Sequence, residues 1–326
     1  MDIEQLKTRV LGRQGKYAVS LLLVLVVGAA GLLGVRASQA DTVQLPAEAE
    51  SGVVTGNAKI VTDNAASGKA SVLFGSGAAT STACANGVKP PTGVSQTMSL
   101  GFCDDFDGTT VDSAKWSFRS SAEAVQSDNP FGTANPGNKQ LEFNQPANCT
   151  LSNGILSMTA KPGNVTVKGK TYDWTSCMLD TAPSYKFRYG YIEERAQFPD
   201  KKGFWPALWT WAAPGVTTCG ASNCETDAYE YYSDNKTKLY LTQHNGAKHS
   251  CDYDLPFDPS AAMHTYGVDI QASGTKWYVD GNKVCETNIT SAGETNILVD
   301  NFVFADIPPD AGSVGVKRID YVRAWK

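Results

Sequence analysis

The sequence has no basic stripe, no long run of helical periodicity and no cysteines in the Cys-x-x-Cys spacing. Its 326 residues carry a formal net charge of −5, and an acidic chain without a basic patch is a poor partner for nucleic acid. Without Cys-x-x-Cys or paired histidines, a cysteine-rich metal site has no support. The absence of helical periodicity leaves short strands as the main structural element.

Cysteine is present in an even number, eight residues, which predicts an oxidising compartment and a set of disulfides. One expected pair closes a short glycine-containing loop just before an acidic segment, and another ties a linker to the first strand after it. Spacing alone does not determine the connectivity. The expected pairs are Cys84–Cys103, Cys149–Cys177, Cys219–Cys224 and Cys251–Cys285.

Residues 1–40 predict a signal peptide or an N-terminal membrane anchor. Four basic residues between positions 7 and 16 precede an uncharged apolar run over residues 18–35. Ser38, Gln39 and Ala40 offer small residues at a cleavage site, so cleavage is the favoured alternative. In either case the basic flank stays inside, and the rest of the chain is expected to be extracellular, secreted or tethered to the outer face of the membrane.

Residues 41–98 predict a short strand-containing segment followed by a linker. The stretches 47–52, 64–68 and 72–75 are similar to the opening strands of a carbohydrate-binding β-sandwich module, which is much longer than this segment. The segment is therefore a truncated module or a strand pair packed on the main domain. Residues 76–94 are rich in Gly, Ala, Ser, Thr and Pro, a composition typical of linkers.

From residue 99 to residue 326 the sequence predicts an all-β domain. Short apolar or alternating runs are separated by Gly, Asn, Asp and Pro. Many short strands with turn residues between them are typical of a β-sandwich. The clearest predicted strands are residues 141–143, 155–160, 191–198, 239–242 and 266–270.

Three acidic residues lie within one strand-like run. Because side chains alternate along a strand, Glu225 and Asp227 share a face, whereas Glu230 joins them only if a bulge at Ala228–Tyr229 adds one residue. Two glutamates on one surface are the pair that glycoside hydrolysis needs, and a third carboxyl between them separates their pKa values. The alternative is a solvated strand face with chance acidic spacing.

Residues 225–230 (ETDAYE) have the E-x-D-x-x-E form of the active-site strand of glycoside hydrolase family 16. Residues 189–196 (YGYIEERA) and 203–209 (GFWPALW) resemble the family's upstream motifs. Its downstream elements resemble residues 264–266 (HTY), 277–281 (WYVDG) and 319–323 (IDYVR). These motifs occur in the family's order, and the resemblance covers residues 99–326.

The resemblance implies a jelly-roll sandwich of two bent antiparallel sheets with a concave substrate cleft. It also implies Glu225 as nucleophile, Glu230 as general acid/base and Asp227 as the residue that tunes their charge. No catalytic cofactor is implied. Trp205 and Trp209 match positions that contact sugar, with a core position as the alternative, and for the neighbouring Trp211 a core position suits equally well.

Two further assignments come from the resemblance. His244 lies where the family often places a histidine near the acid/base, and a purely structural role is the alternative. Asp320 and, less directly, Asp105 match positions at which some members hold a structural calcium ion on the convex face.

The implied function is a secreted, monomeric, retaining endo-glycosidase acting on a polysaccharide, foremost 1,3-β-glucan. The bulged form also fits agarases and galactanases. Residues 296–304 (NILVDNFVF) are shorter than the equivalent stretch in laminarinases and lack its glycine pair, so the sugar is left open. A transglycosylase has the same residues. A lectin-like glycan-binding protein is the rival of another class, and an intact acid set argues against it.

Overall fold

A computed structural model describes residues 58–62, 70–74, 84, 87–122, 139–167, 169–219 and 223–326. The chain divides into two compact units, residues 1–74 and 75–326. In the first unit, strands β1 (Ala58–Thr62) and β2 (Ala70–Phe74) form an antiparallel hairpin that pairs Ala58 with Phe74. Both alternatives for residues 41–98, a truncated carbohydrate-binding module and a strand pair packed on the main domain, stay predictions.

The predicted signal or anchor segment, residues 1–40, lies outside the described residues. Within the described part of the chain, no helix is both long enough and apolar enough to cross a bilayer.

The second unit is built almost entirely of strands, as the short alternating runs predict. Each of the five clearest predicted strands overlaps an observed one, although the strand predicted at residues 155–160 continues to Val167. The strands are β3 (Leu100–Asp104), β4 (Glu142–Asn144), β5 (Cys149–Ser152), β6 (Ile155–Val167), β7 (Lys170–Ser176), β8 (Met178–Asp180), β9 (Gly190–Gln197), β10 (Phe204–Ala212), β11 (Thr226–Glu230), β12 (Lys238–Asn245), β13 (Ala247–Asp254), β14 (His264–Gln271), β15 (Gly274–Val279), β16 (Asn282–Thr287), β17 (Thr295–Val303) and β18 (Gly315–Trp325).

Among the described residues these strands form two sheets of six and ten strands. The smaller sheet has the order β13-β12-β11-β10-β17-β8. The larger has the order β16-β15-β14-β9-β18-β6-β7-β4, with β3 beside β18 and β5 beside β6. Pairing is antiparallel except between β4 and β7. The predicted jelly-roll sandwich is confirmed, and the acidic strand β11 lies near the middle of the smaller sheet.

The main hydrophobic core lies between the two sheets. Leu208 of β10 and Val299 of β17 face it from the smaller sheet, and Ile192 of β9 and Val322 of β18 face it from the larger. The opposite side of the smaller sheet carries a second apolar cluster with the alternate residues of the same strands, Trp205, Ala207, Trp209, Leu298 and Phe302. We call this side the cleft face. The period-two alternation of β10 and β17 therefore separates core residues from cleft residues.

All four expected disulfides are present. They link Cys84 to Cys103, Cys149 to Cys177, Cys219 to Cys224 and Cys251 to Cys285, and no described cysteine is free. The Cys219–Cys224 bridge closes its loop one residue before Glu225. It therefore fixes the point at which the chain enters β11.

Candidate active site

The predicted bulge in the acidic strand is present. Leu208 of β10 pairs with Tyr229, but the next residue, Trp209, pairs with Asp227, so Ala228 is the extra residue. On the other side of β11 the register shifts over the same residues. A bulge of this kind sends two consecutive side chains to one face and re-aims the residues that follow.

The bulge places the acidic side chains together on the cleft face. Ala228 and Tyr229 both enter the core between the sheets, which returns Glu230 to the side of Asp227. At the other end of the strand, the Thr226 side chain faces the core. Its hydroxyl donates to Gln243 Oε1 at 2.8 Å, and the same oxygen accepts from Thr275 of the larger sheet. Glu225 therefore lies on the same face as Asp227, as the strand period predicts.

The carboxyls form a close cluster with His244. A carboxylate oxygen from each of Glu225 and Asp227 and a ring nitrogen of His244 lie within 4.8 Å of one another. The distance from His244 Nε2 to Asp227 Oδ2 is 3.4 Å. The Tyr232 hydroxyl donates to Glu230 Oε1 at 2.7 Å. The structure thus brings the three acidic residues and His244 into one site.

Burial raises the pKa values of all three carboxyls, and repulsion adds to this effect at Glu225 and Asp227. Burial, followed by the charge of Asp227, raises the pKa of Glu225 to about 8. Burial and then the charge of Glu230 raise the pKa of Asp227 well above its usual range, and burial raises the pKa of Glu230. Crowded carboxyls that share a low-dielectric site cannot all ionise, so the site retains a proton near neutral pH.

Aromatic rings form the wall beside Glu230. Trp205 lies 4.9 Å from Tyr232 and 5.1 Å from Phe304, between ring centroids. Further along β10, Trp209 meets Trp211 edge to face at 6.0 Å, and its Nε1 donates to Asp300 Oδ2 at 2.6 Å. Trp205 and Trp209 are each 8% exposed, so each presents only a small part of its ring to the cleft.

Two residues of the site were not predicted from the sequence. Tyr232 touches Glu230 directly and follows it by two positions, so strand parity was a usable signal. Lys248 lowers the pKa of Glu225, opposing the effect of Asp227, and it lies opposite His244 in the β12–β13 hairpin that turns at Gly246. Recognising Lys248 requires that hairpin register.

The residues predicted to hold calcium make other contacts. Asp105 Oδ1 accepts from Arg323 at 2.7 Å, and Asp320 Oδ2 accepts from Arg195 at 2.8 Å. Each carboxylate is therefore paired with a guanidinium, which offsets the negative charge that a hard cation would need there. Neither residue lies on the acidic strand, and the structural calcium stays a prediction without support.

The family model described as "Glycosyl hydrolases family 16" matches residues 139–301, which include the bulged strand with Trp205 and Tyr232. The chain belongs to glycosyl hydrolase family 16. This confirms the resemblance drawn from the motifs.

Solved structures of the family have the same fold. The laminarinase catalytic domain of Thermotoga maritima is 27% identical, with a TM-score of 0.60, and the match covers 70% of this chain and 98% of that one. The catalytic domain of an endo-1,3-β-glucanase (laminarinase) from Thermotoga petrophila is 26% identical, with a TM-score of 0.61 and the same coverage.

Curated relatives include an endo-1,3-1,4-β-glycanase of Rhizobium meliloti, which is 29% identical. The match covers 65% of this chain and 43% of the relative. A glucan endo-1,3-β-glucosidase of Niallia circulans is 27% identical over 70% of this chain and 38% of its own length. A keratan-sulfate endo-1,4-β-galactosidase of Sphingobacterium multivorum is 25% identical over 68% and 54%. The chain spans about two fifths of the length of the first two relatives.

Proposed function

We propose that this chain is a retaining endo-β-glycosidase that hydrolyses a β-linked polysaccharide, with 1,3-β-glucan as the favoured substrate. The observation that carries the proposal is the bulge of β11, which gathers Glu225, Asp227 and Glu230 on one face beside an aromatic wall. A binding protein has no need for crowded carboxyls with raised pKa values, whereas a glycosidase needs one protonated and one ionised carboxyl.

In the first step Glu225 attacks the anomeric carbon, and the bond from that carbon to the glycosidic oxygen breaks. Glu230 donates its proton to the departing oxygen, which leaves as the hydroxyl of the released chain. Glu225 must be ionised to attack. Lys248 and, when protonated, His244 favour that form by lowering the pKa of Glu225 against burial and Asp227.

In the second step water releases the glycosyl ester. Glu230, now ionised, removes a proton from the water, whose oxygen bonds to the anomeric carbon while Glu225 leaves as a carboxylate. Two displacements at the same carbon retain its configuration. The hydrogen bond that the Tyr232 hydroxyl donates to Glu230 lowers the pKa of Glu230, so it favours the ionised form needed between the two steps.

The choice of 1,3-β-glucan is supported by the laminarinase structures and by the bulged form of the strand. A β-galactan is the second candidate, because the similarity extends to a keratan-sulfate endo-1,4-β-galactosidase. Four disulfides support an extracellular location, either secreted or tethered by the N-terminal segment.

A reducing-sugar assay on laminarin, mixed-linkage glucan, agarose and galactan tests the activity and the substrate together. We expect release of oligosaccharides from laminarin. Preferred cleavage of galactan or agarose would replace the glucan assignment, and unchanged polymers with measurable binding would support the lectin alternative. Adding a free oligosaccharide acceptor separates hydrolysis from transglycosylation, because a transglycosylase would lengthen the acceptor.

The roles of the two glutamates are tested by azide rescue on an activated aryl β-glycoside, whose leaving group needs no proton. Glu230→Gln keeps the nucleophile, so azide should accelerate turnover and yield the β-glycosyl azide. Glu225→Gln should yield the α-azide or no product. Rescue with the two positions exchanged would reverse the assignment.

A further inference from the structure

A buried ion pair lies directly behind the acidic strand, in the core between the two sheets. Glu194 of β9 and Lys317 of β18 have fully buried side chains, and Lys317 Nζ lies 3.1 Å from Glu194 Oε1. Both residues belong to the larger sheet, whereas the proposed catalytic residues belong to the smaller one. No step of the proposed mechanism uses either side chain.

The pair reaches across the core to the strand that carries Glu230. The hydroxyl of Tyr229, the residue immediately before Glu230, donates to the same Oε1 of Glu194. Lys317 Nζ also donates to the carbonyl oxygen of Ala207 at 2.7 Å. Ala207 lies directly opposite Glu230 in the β10–β11 register, so the pair holds both strands at the position of Glu230.

A contribution to stability does not by itself explain why the Glu194–Lys317 pair is buried here. Burying two charges costs more solvation than their attraction returns unless every polar atom is satisfied, and apolar replacements of such pairs are often as stable. Here Glu194 Oε2 has no hydrogen-bond partner in the described part of the structure. The Tyr229 ring is already packed against Phe198 and Tyr266, with centroids 4.7 and 5.0 Å away, and does not need its hydroxyl for packing.

The need to hold Glu230 in one orientation does explain the buried pair. A bulge interrupts the backbone ladder, and a residue beside it can rotate unless other contacts fix it. Glu225, at the other end of the strand, is held separately, because its carbonyl oxygen accepts from the His244 N–H at 3.0 Å and from Gln243 Nε2 at 3.1 Å. The buried pair acts on the Glu230 end alone.

We propose that Tyr229, Glu194 and Lys317 are positioning residues that lock the bulge of β11 and aim Glu230 at the glycosidic oxygen. The inference rests on the proposed function. It concerns the proton-transfer half of the reaction, since the attack by Glu225 does not depend on these contacts. Variants that lose these contacts should therefore lose activity only on substrates whose leaving group needs a proton.

The first test is Tyr229→Phe, which removes only the hydroxyl, with Tyr266→Phe as the matched control. Tyr266 belongs to the same aromatic cluster, and its hydroxyl has no hydrogen-bond partner among the described residues. We expect Tyr229→Phe to lower kcat on laminarin by about tenfold to a hundredfold, the size of effect that a misplaced catalytic group produces, with KM within about twofold. Tyr266→Phe should change neither.

The second substrate is an aryl β-glycoside that leaves without protonation. Its kcat/KM reports the attack by Glu225, so Tyr229→Phe should leave this value within about twofold of the wild type. A parallel fall on both substrates would indicate general damage to the site and overturn the positioning role. Full kcat on laminarin in Tyr229→Phe, or an equal loss in Tyr266→Phe, would overturn it as well.

The third test is the double variant Glu194→Leu/Lys317→Met, which removes both charges together and leaves neither unpaired. The variant leaves the buried Tyr229 hydroxyl without its acceptor and removes the positive charge that lowers the pKa of the buried Asp300, so the melting temperature should fall. Measured per folded molecule, kcat on laminarin should fall as in Tyr229→Phe. Wild-type kcat in this variant would overturn the inference. A wild-type protein inactive on every glycan and on the aryl glycoside would instead overturn the proposed function, so the two failures are distinguishable.

Discussion

Replacing Asp227 with asparagine tests whether the central carboxyl acts through its charge. Asp227 is buried between the two glutamates, and its charge is the second-largest cause of the raised pKa of Glu225, after burial. The substitution keeps the size and shape of the side chain but removes the charge. The ionised form of Glu225 then becomes easier to reach, so the acid limb of the activity profile should move to lower pH.

The size of the effect follows from the separation of the two carboxyls. Their nearest oxygens are within 4.8 Å. Two unit charges about 4 Å apart interact by about 1 kcal/mol in water and about 4 kcal/mol near a protein surface. Because the Glu225 side chain is half-buried, we take about 1 to 2 kcal/mol, which corresponds to a displacement of about 0.7 to 1.5 pH units.

The measurement is kcat/KM on laminarin from about pH 4 to about pH 9, for the wild type and Asp227→Asn, at low and high salt. Asp254→Asn is the matched control, because it removes the same charge from an exposed part of β13. There Asp254 pairs with Lys238. The control should leave both limbs in place. High salt should reduce any contribution from exposed charges but leave most of the Asp227 effect.

An unchanged acid limb in Asp227→Asn would refute the reasoning, since it would mean that Asp227 keeps its proton throughout the working range. A displacement to higher pH would refute it more strongly, because loss of a negative neighbour cannot disfavour ionisation of Glu225 by repulsion.

Three further predictions concern other parts of the molecule. Trp205→Ala should reduce laminarin turnover through a loss of about 1 kcal/mol of stacking while the melting temperature changes less than activity does; unchanged activity with a large fall in melting temperature would make Trp205 a core residue. Glu142 is fully buried, and burial raises its pKa to about 7. Its ionised form therefore weakens the folded state progressively as pH rises from about 4.5 to about 7, so Glu142→Gln should gain up to about 3 kcal/mol over the wild type in urea unfolding at pH 8, with no gain at pH 4. Thiol labelling of the denatured, unreduced exported protein should find few or no thiols, and labelling of all eight cysteines would contradict the disulfides.

The sequence by itself determined the features that depend on local periodicity and composition. Alternating apolar runs predicted the strands of the sandwich, and strand parity placed Trp205, Trp209 and Trp211 on one face. The spacing of Glu225, Asp227 and Glu230 required an extra residue if all three were to share a face, and the bulge is where that requirement put it. The four disulfide pairs also agreed with expectation.

The tertiary structure alone decided which distant groups meet. A strand period states that a side chain points to one face or the other, but the pairing of strands far apart in sequence decides what it touches there. The resemblance assigned Asp320 and, less directly, Asp105 to a structural calcium site, and only the fold shows that each carboxylate contacts an arginine. Strand parity puts Glu194 on the face of Ile192 and Lys317 on the face of Ile319, but only the stacking of the sheets brings the two charges together behind β11. Such contacts depend on long-range packing, which no local pattern encodes.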